Sequence, residues 1–223
     1  MAQVRKAAAQ RGFPDQRLRL LDFGCGTGFN LALLSEFGDV TGADRFRDYD
    51  SVYRRPHTFP MIDVERDLPA HAAGFDLVTA LDVLEHLDDD VAGLRTLRDL
   101  LRAGGQLILT VPAYPWLWGG EDVISEHKRR YTLGVLTQRC AAAALRVEYA
   151  SYFNLSILPA MTSVIWARRL FSPNAQNQSS LSTPPRWLNE ALYRLTAKEA
   201  EFVGTQRLRM PAGASIVCRL RKE

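Results

Sequence analysis

Residues 20–31 read Leu-Leu-Asp-Phe-Gly-Cys-Gly-Thr-Gly-Phe-Asn-Leu. The apolar pair Leu20-Leu21 ends in Asp22. Three glycines follow at alternate positions (Gly24, Gly26 and Gly28), and apolar residues of helical spacing then begin at Phe29, Leu31, Leu33 and Leu34. A buried strand, a glycine turn and a helix start in that order let a ligand lie against bare backbone at a helix N-terminus. The spacing is not that of the dinucleotide fingerprint. Counted from Gly24, G-x-G-x-x-G needs glycine at position 29, and Phe29 stands there. A glycine cluster alone is weak evidence, so the reading depends on what flanks it.

Downstream, the helix runs from about Asn30 to Phe37 and stops at Gly38. Asp39–Asp44 is a short strand ending in an acid, followed by a polar stretch with Arg45, Arg47 and Asp48. Thr58–Asp63 reads as a third strand and Phe75–Asp82 as a fourth. Asp88–Arg102 has helical apolar spacing (Val91, Leu94, Leu97, Leu100, Leu101) and breaks at Gly104-Gly105, and Gln106–Pro112 is a fifth strand. Strands alternating with helical connections predict a parallel sheet with helices on both faces. The carboxyl ends of such strands form one rim where ligands bind. Asp22, Asp44, Asp63 and Asp82 all fall at that rim. Turn and cap chemistry suffices for any one of them. Four around one glycine turn call for a cationic ligand rich in hydrogen-bond donors, whereas a dinucleotide wants amides and positive charge for its pyrophosphate.

The 223 residues suit one α/β domain over 1–223, with a lead-in at 1–19. The 28 Lys+Arg against 25 Asp+Glu give net +3, too slight and scattered to predict nucleic-acid binding. Three cysteines without metal-ligand spacing read as reduced thiols, and with no signal peptide visible the expected location is cytoplasmic. The most apolar late segment, Leu155–Trp166, is too short to span a bilayer and contains Pro159.

From about Leu18 to Phe153 the chain resembles the class I S-adenosylmethionine-dependent methyltransferases, whose glycine signature is close to the LLDFGCGTG at 20–28. The resemblance implies S-adenosylmethionine as cofactor and a Rossmann-like fold: a seven-stranded, mainly parallel sheet with helices on both faces, the last strand running opposite. It places Asp44 on both ribose hydroxyls. Asp63 then accepts from the adenine amine while the Val64 amide donates to the ring. Leu81 and Asp82 border the methionine part, Gly24, Gly26 and Gly28 form the cradle, and Asp22 steadies the loop and reaches the ammonium through water.

Methyl transfer needs alignment, exclusion of water and, for an O–H or N–H acceptor, removal of a proton. His86, after the fourth strand, and His127 are the candidate bases; the alternative for Glu85 and His86 is that they open the next helix by pairing with backbone. Asp82-x-x-Glu85-His86 also resembles the E-x-x-E-H run of ubiquinone-pathway O-methyltransferases and small-RNA 2′-O-methyltransferases, where a divalent ion is held. With Asp in place of the first Glu, and His127 as a distant fourth ligand, the set is weak and no metal is assigned. The stretch 111–132 carries two prolines and a Gly-Gly pair, predicting a long irregular loop over the reactive end. Tyr114, Trp116 and Trp118 shape a dry acceptor pocket there or cover the core. Arg129, Arg130 and Tyr131 belong to an H-x-R-R-Y-T run that resembles one in bacterial methyltransferases. The two arginines bind an anionic group or pair with Glu121, Asp122 or Glu126, and Thr132 caps a helix over Leu133–Ala144.

Leu145–Phe153 and Ala214–Leu220 read as the last two strands. Between them, 154–213 is an insert with helical segments at Ile157–Phe171 and Trp187–Val203 separated by a loose polar stretch, Ser172–Pro185. It reads as a lid, a homodimer surface or, through the 155–171 helix with Trp166, Arg168, Arg169 and Phe171, a membrane-surface contact. The expected function is methyl transfer to a small or amphiphilic metabolite at O, N or C. The rivals are a non-catalytic cofactor-binding partner subunit and a metal-assisted RNA 2′-O-methyltransferase.

Overall fold

The computed structural model describes residues 2–9, 17–45, 58–171, 185–204 and 209–223. Seven strands form one sheet: β1 (Leu18–Phe23), β2 (Gly38–Asp44), β3 (Met61–Asp63), β4 (Phe75–Leu81), β5 (Leu101–Pro112), β6 (Leu145–Phe153) and β7 (Ser215–Lys222), in the spatial order 3-2-1-4-5-7-6. Strands β3, β2, β1, β4 and β5 run parallel, and β7 inserts antiparallel to both β5 and β6. The order reverses at β1, which sets the end of β1 at the sheet's crevice, the place where open α/β sheets take ligands. The expected seven-stranded, mainly parallel, Rossmann-like sheet is present.

Alternate residues divide between the faces. On one, α3 (Asp90–Leu100) and α5 (Leu133–Ala142) press Leu94, Leu97, Leu136 and Cys140 onto Val78, Ala80, Leu107 and Leu109. On the other, α1 (Ala2–Ala9) and α2 (Leu31–Leu34) press Val4, Ala7, Leu31 and Leu34 onto Leu20, Leu77 and Ile108. The insert supplies α6 (Leu158–Phe171) and α7 (Arg186–Gly204), and Val203 of α7 packs with Tyr149 and Val217. Among the described residues no helix is long and apolar enough to cross a membrane.

Three expectations are corrected. The helix after the glycine turn is one turn long, because β2 must begin at Gly38, where any Cβ would lie 2.0 Å from the Leu18 carbonyl oxygen. Gly104-Gly105 does not separate helix from strand: β5 starts at Leu101, and the glycines absorb a bulge as its pairing steps from Phe75↔Leu101 to Leu77↔Gln106. The loop over the reactive end also holds two short helical pieces, a 3-10 turn at Pro115–Leu117 and α4 (Gly120–Ile124). Residues 172–184 of the polar stretch, with Arg47 and Asp48, lie outside the described residues.

Candidate active site

The turn after β1 is built from backbone. Gly24, Gly26 and Gly28 have φ of 71°, 54° and 78°, and a Cβ at Gly24 would fall 2.5 Å from Val83 Cγ2. The Gly24 and Cys25 amides donate to the Ala43 carbonyl at 2.7 and 3.2 Å, and the Gly26 amide donates to Asp44 Oδ2 at 2.6 Å. Asp44 Oδ1 accepts from its neighbour's amide at Arg45. The turn is thereby fastened to the end of β2. Burial, reinforced by the charges of Asp44 and Asp22, pushes the Cys25 thiol up to about 12, which makes it inert as a nucleophile.

The register brings the rim acids together. Asp44 pairs with Asp63 across β2 and β3, and Asp22 pairs with Thr79 across β1 and β4. Asp22 is 1% exposed; its Oδ1 accepts from the Thr79 hydroxyl at 2.6 Å, while Oδ2 is buried with no hydrogen-bond partner. Burial lifts its pKa to about 6 despite the Thr79 bond, with the Asp44 charge adding to the rise. Asp63 Oδ1 accepts from the Glu65 and Arg66 amides. Leu81 closes β4, and Asp82, at φ 54°, accepts the Thr110 hydroxyl on Oδ1 at 3.1 Å. The Val64 amide needs correction. It donates to the Asp44 carbonyl at 3.1 Å, because the β2–β3 ladder extends one residue further, so this N–H is not aimed at a ring.

After β4, a 3-10 turn over Leu84–His86 sets a polar cluster. Glu85 is fully buried, neither of its carboxylate oxygens has a hydrogen-bond partner, and burial carries its pKa to about 8. The His86 and His127 rings meet edge to face at 4.8 Å, and His127 Nε2 lies 4.0 Å from Glu85 Oε1. His127 Nδ1 sits 2.9 Å from Asp122 Oδ1, which fixes the ring and points Nε2 toward Glu85. Burial, then the neighbouring His127, holds His86 below its ordinary value. One ligand atom each from Glu85, His86 and His127 lies within 4.8 Å of the others, the spacing of a candidate cation site.

The cationic run at 128–131 is engaged elsewhere. Lys128 pairs with Asp88. Arg129 reaches the Asp88 carbonyl at 2.7 Å and Asp90 at 3.4 Å. Arg130, its side chain 7% exposed, holds Asp122 at 2.7 Å and the Ala113 carbonyl at 3.2 Å. Tyr131 is 1% exposed, and its hydroxyl donates to Asp90 at 3.2 Å. The reading of Arg129, Arg130 and Tyr131 as substrate-binding is therefore corrected. Asp90 and Asp122 are buried acids, and these side chains are their counter-charges and donors. The alternative, loop-locking pairing with Asp122, is what Arg130 does. Burial alone would raise the Asp122 pKa, but the bonds from Arg130, the Gly119 amide and His127 outweigh it, and the net shift is downward.

Tyr114 stacks on Trp116 at 5.3 Å and on Tyr152 at 5.0 Å. Trp116 is 44% exposed, and the Trp116 and Trp118 carbonyls accept from Arg169 of α6 at 2.8 and 3.0 Å. Sequence reasoning missed Thr79 and Thr110, which hold the rim acids, and the structural part of Asp90. The run of cations facing acids at 85, 88, 90 and 122 was the only available signal for the last.

A model of a methyltransferase domain matches residues 1–156, about seven tenths of the 223 residues. The chain belongs to that family. Among its relatives, the ubiquinone biosynthesis O-methyltransferase of Cereibacter sphaeroides is 35% identical over 102 residues, 43% of this chain and 41% of that one. The tRNA U34 carboxymethyltransferase of Pseudomonas fluorescens is 33% identical over 161 residues, 68% of this chain and 44% of that one. The chain thus matches less than half the length of either relative. The fold is also that of an S-adenosylmethionine-dependent methyltransferase from Mesorhizobium loti, with a TM-score of 0.57 and 16% identity over 100% of this chain and 98% of that chain.

Removing one partner of a buried ion pair leaves the other charge uncompensated. Asp122→Ala should therefore lower the unfolding free energy in urea by about 3–5 kcal/mol. A loss under 1 kcal/mol would mean Arg130 finds water instead.

Proposed function

We propose that the chain transfers a methyl group from S-adenosylmethionine to an O, N or C atom of a small amphiphilic acceptor. The observation that carries this reading is the register that lines up Asp44 with Asp63 and Asp22 with Thr79 around a turn whose Gly26 amide is bonded to Asp44. In this reading Asp44 accepts from the ribose diol, Asp63 from the adenine amine, and Asp22 faces the ammonium. Asp82 and Leu81 flank the methionine part.

When bound, S-adenosylmethionine supplies a methyl group already activated on a sulfonium. The protein's residues then hold the acceptor in line, exclude water through the Tyr114–Trp118 stretch and take up the acceptor's proton. His127, oriented by Asp122, and His86 are the bases within reach of one another. The name of the tRNA relative suggests nucleic acid. Against that, the loop cations that would meet phosphate are engaged with Asp88, Asp90 and Asp122.

A second reading keeps the same donor and adds a divalent ion. The donor set fits: a buried carboxylate with both oxygens unpartnered, two imidazoles, and an outer carboxylate fixing one of them. An ion held by Glu85, His86 and His127 would lower the pKa of an acceptor hydroxyl bound to it.

The outward side of α6 supports the amphiphilic acceptor. Trp166, Leu170 and Phe171 are 50%, 69% and 83% exposed, and the helix carries no acid. An anionic lipid surface fits that composition. The chain should co-sediment with anionic vesicles and the Leu170→Glu/Phe171→Glu variant should not; equal recovery of both would remove this contact.

Asp44→Ala should weaken S-adenosylhomocysteine binding at least tenfold by calorimetry, since two charge-assisted bonds of about 1.5–3 kcal/mol each leave together. For S-adenosylmethionine, affinity should fall as the pH drops below about 6, where Asp22 takes up a proton before meeting the ammonium. The sign for the free protein is opposite. A raised carboxyl pKa favours the folded state in acid, and that contribution is lost as pH rises through about 6. Asp22→Asn should flatten the binding profile, and a profile flat in the parent would overturn the assignment of Asp22.

Replacing His86 or His127 by Ala should leave S-adenosylhomocysteine affinity intact, and one of the two changes should slow turnover by about 10²-fold or more. Full turnover after exhaustive chelation eliminates the ion. No turnover with any O, N or C acceptor leaves a cofactor-binding subunit.

A further inference from the structure

Below the rim, on the sheet face that carries Leu20 and Ile108, a cleft of about 220 Å³ lies between the sheet and helices α1, α2 and α7. Its walls are apolar, with Val4 and Leu34 on one side and Val203 and Val217 on the other. Among the described residues no charged side chain lines it. Two of its polar groups are hydroxyls already engaged: Thr79 donates to Asp22 and Thr110 to Asp82. Gln3, the third, donates to the Val203 carbonyl. Such walls are a poor host for water, which needs 2–4 polar partners, and protein interiors seldom leave a space of this size unfilled.

The cleft is also placed for chemistry. Thr79 and Leu81 alternate up β4 toward Asp82, so it runs up the strand to the rim, and its two threonines hold the two acids that flank the methionine part in the reading above. We propose that this cleft is the acceptor's subsite and receives an uncharged apolar group, an aromatic ring or a short branched chain, joined to the atom that is methylated. The inference rests on reading the rim as the methyl-donor site. An apolar cavity of about 150 Å³ accepts benzene, so 220 Å³ accommodates a substituted ring. The described lining is uncharged and so selects against phosphorylated acceptors, whose anionic groups would be desolvated without a partner there.

The test uses the full chain and a series of 4-alkylphenols from phenol to 4-butylphenol, titrated calorimetrically with and without S-adenosylhomocysteine. Affinity should rise about fourfold per added methylene. Ala200 lies on α7 at the cleft and is exposed, so Ala200→Phe should fill the space and abolish the chain-length dependence while leaving S-adenosylhomocysteine affinity unchanged. If that variant does not fold, judged by circular dichroism, Ala200→Leu should halve the number of methylenes that add affinity. Affinity independent of chain length, or a chain-length dependence that survives a folded Ala200→Phe, overturns the subsite. Failure of S-adenosylhomocysteine to bind the parent protein overturns the donor site instead, and the alkylphenol titration without it still decides the cleft.

Discussion

The hydrogen bond from the Gly26 amide to Asp44 Oδ2, 2.6 Å long, joins two elements that the chain makes separately. One is the turn after β1; the other is the end of β2. With the Gly24 and Cys25 amides on the Ala43 carbonyl, it makes the turn and the β2 terminus one rigid piece. Val83 closes the third side, since any Cβ at Gly24 would strike it. The ends of β1, β2 and β4 are thus held by contacts that only glycine permits. A ligand at this rim meets backbone already in position, and little ordering remains to be done on binding.

A second layer of order comes from charge. Asp90 and Asp122 are buried, and the run from His127 to Tyr131 supplies their partners. The Lys128 amide adds a bond to the Glu85 carbonyl at 2.8 Å. Buried ion pairs contribute little net stability because desolvation offsets attraction, but they specify geometry. Here the Asp90 contacts clamp the stretch after β5 onto the segment after β4, and the Asp122 contacts brace that stretch internally. Glu85 is the exception: its carboxylate faces two imidazoles and has no hydrogen-bond partner of its own. A fold that neutralises the neighbouring acids and leaves this one without a bonded partner concentrates proton or cation affinity at a single point between the histidines.

The sheet was legible in the sequence because its strands are buried on both faces, which writes apolar runs such as that of β4 into the chain. Residues 145–153 were read to their boundaries although this is an edge strand, half-buried along much of its length, because Leu145, Tyr149 and Ala150 still mark its buried side. The Gly104-Gly105 error came from treating glycine as a terminator where it accommodates a bulge. Site residues divide differently. The acids at strand ends declare themselves by position. Arg129, Arg130 and Tyr131 were misread because a cationic run looks alike whether its partners are outside the protein or buried within it. The three-dimensional meeting of His86 with His127, 41 positions apart, depends on the loop clamp and has no local sequence signal.

Stability is unevenly distributed in a way that bears on acceptor entry. The sheet and its flanking helices bury nearly every apolar side chain, whereas α6 has no buried residue and Val203 is the one deeply buried apolar side chain of α7. Arg169 bonds α6 to two carbonyls of the aromatic loop. Segments with few buried contacts open at small fractions of the global unfolding free energy. The rigid half therefore carries the rim, and the loosely held half carries a wall of the cleft. In the subsite proposed above, an acceptor would add contacts to α7, and part of its binding free energy would go into docking the insert against the sheet.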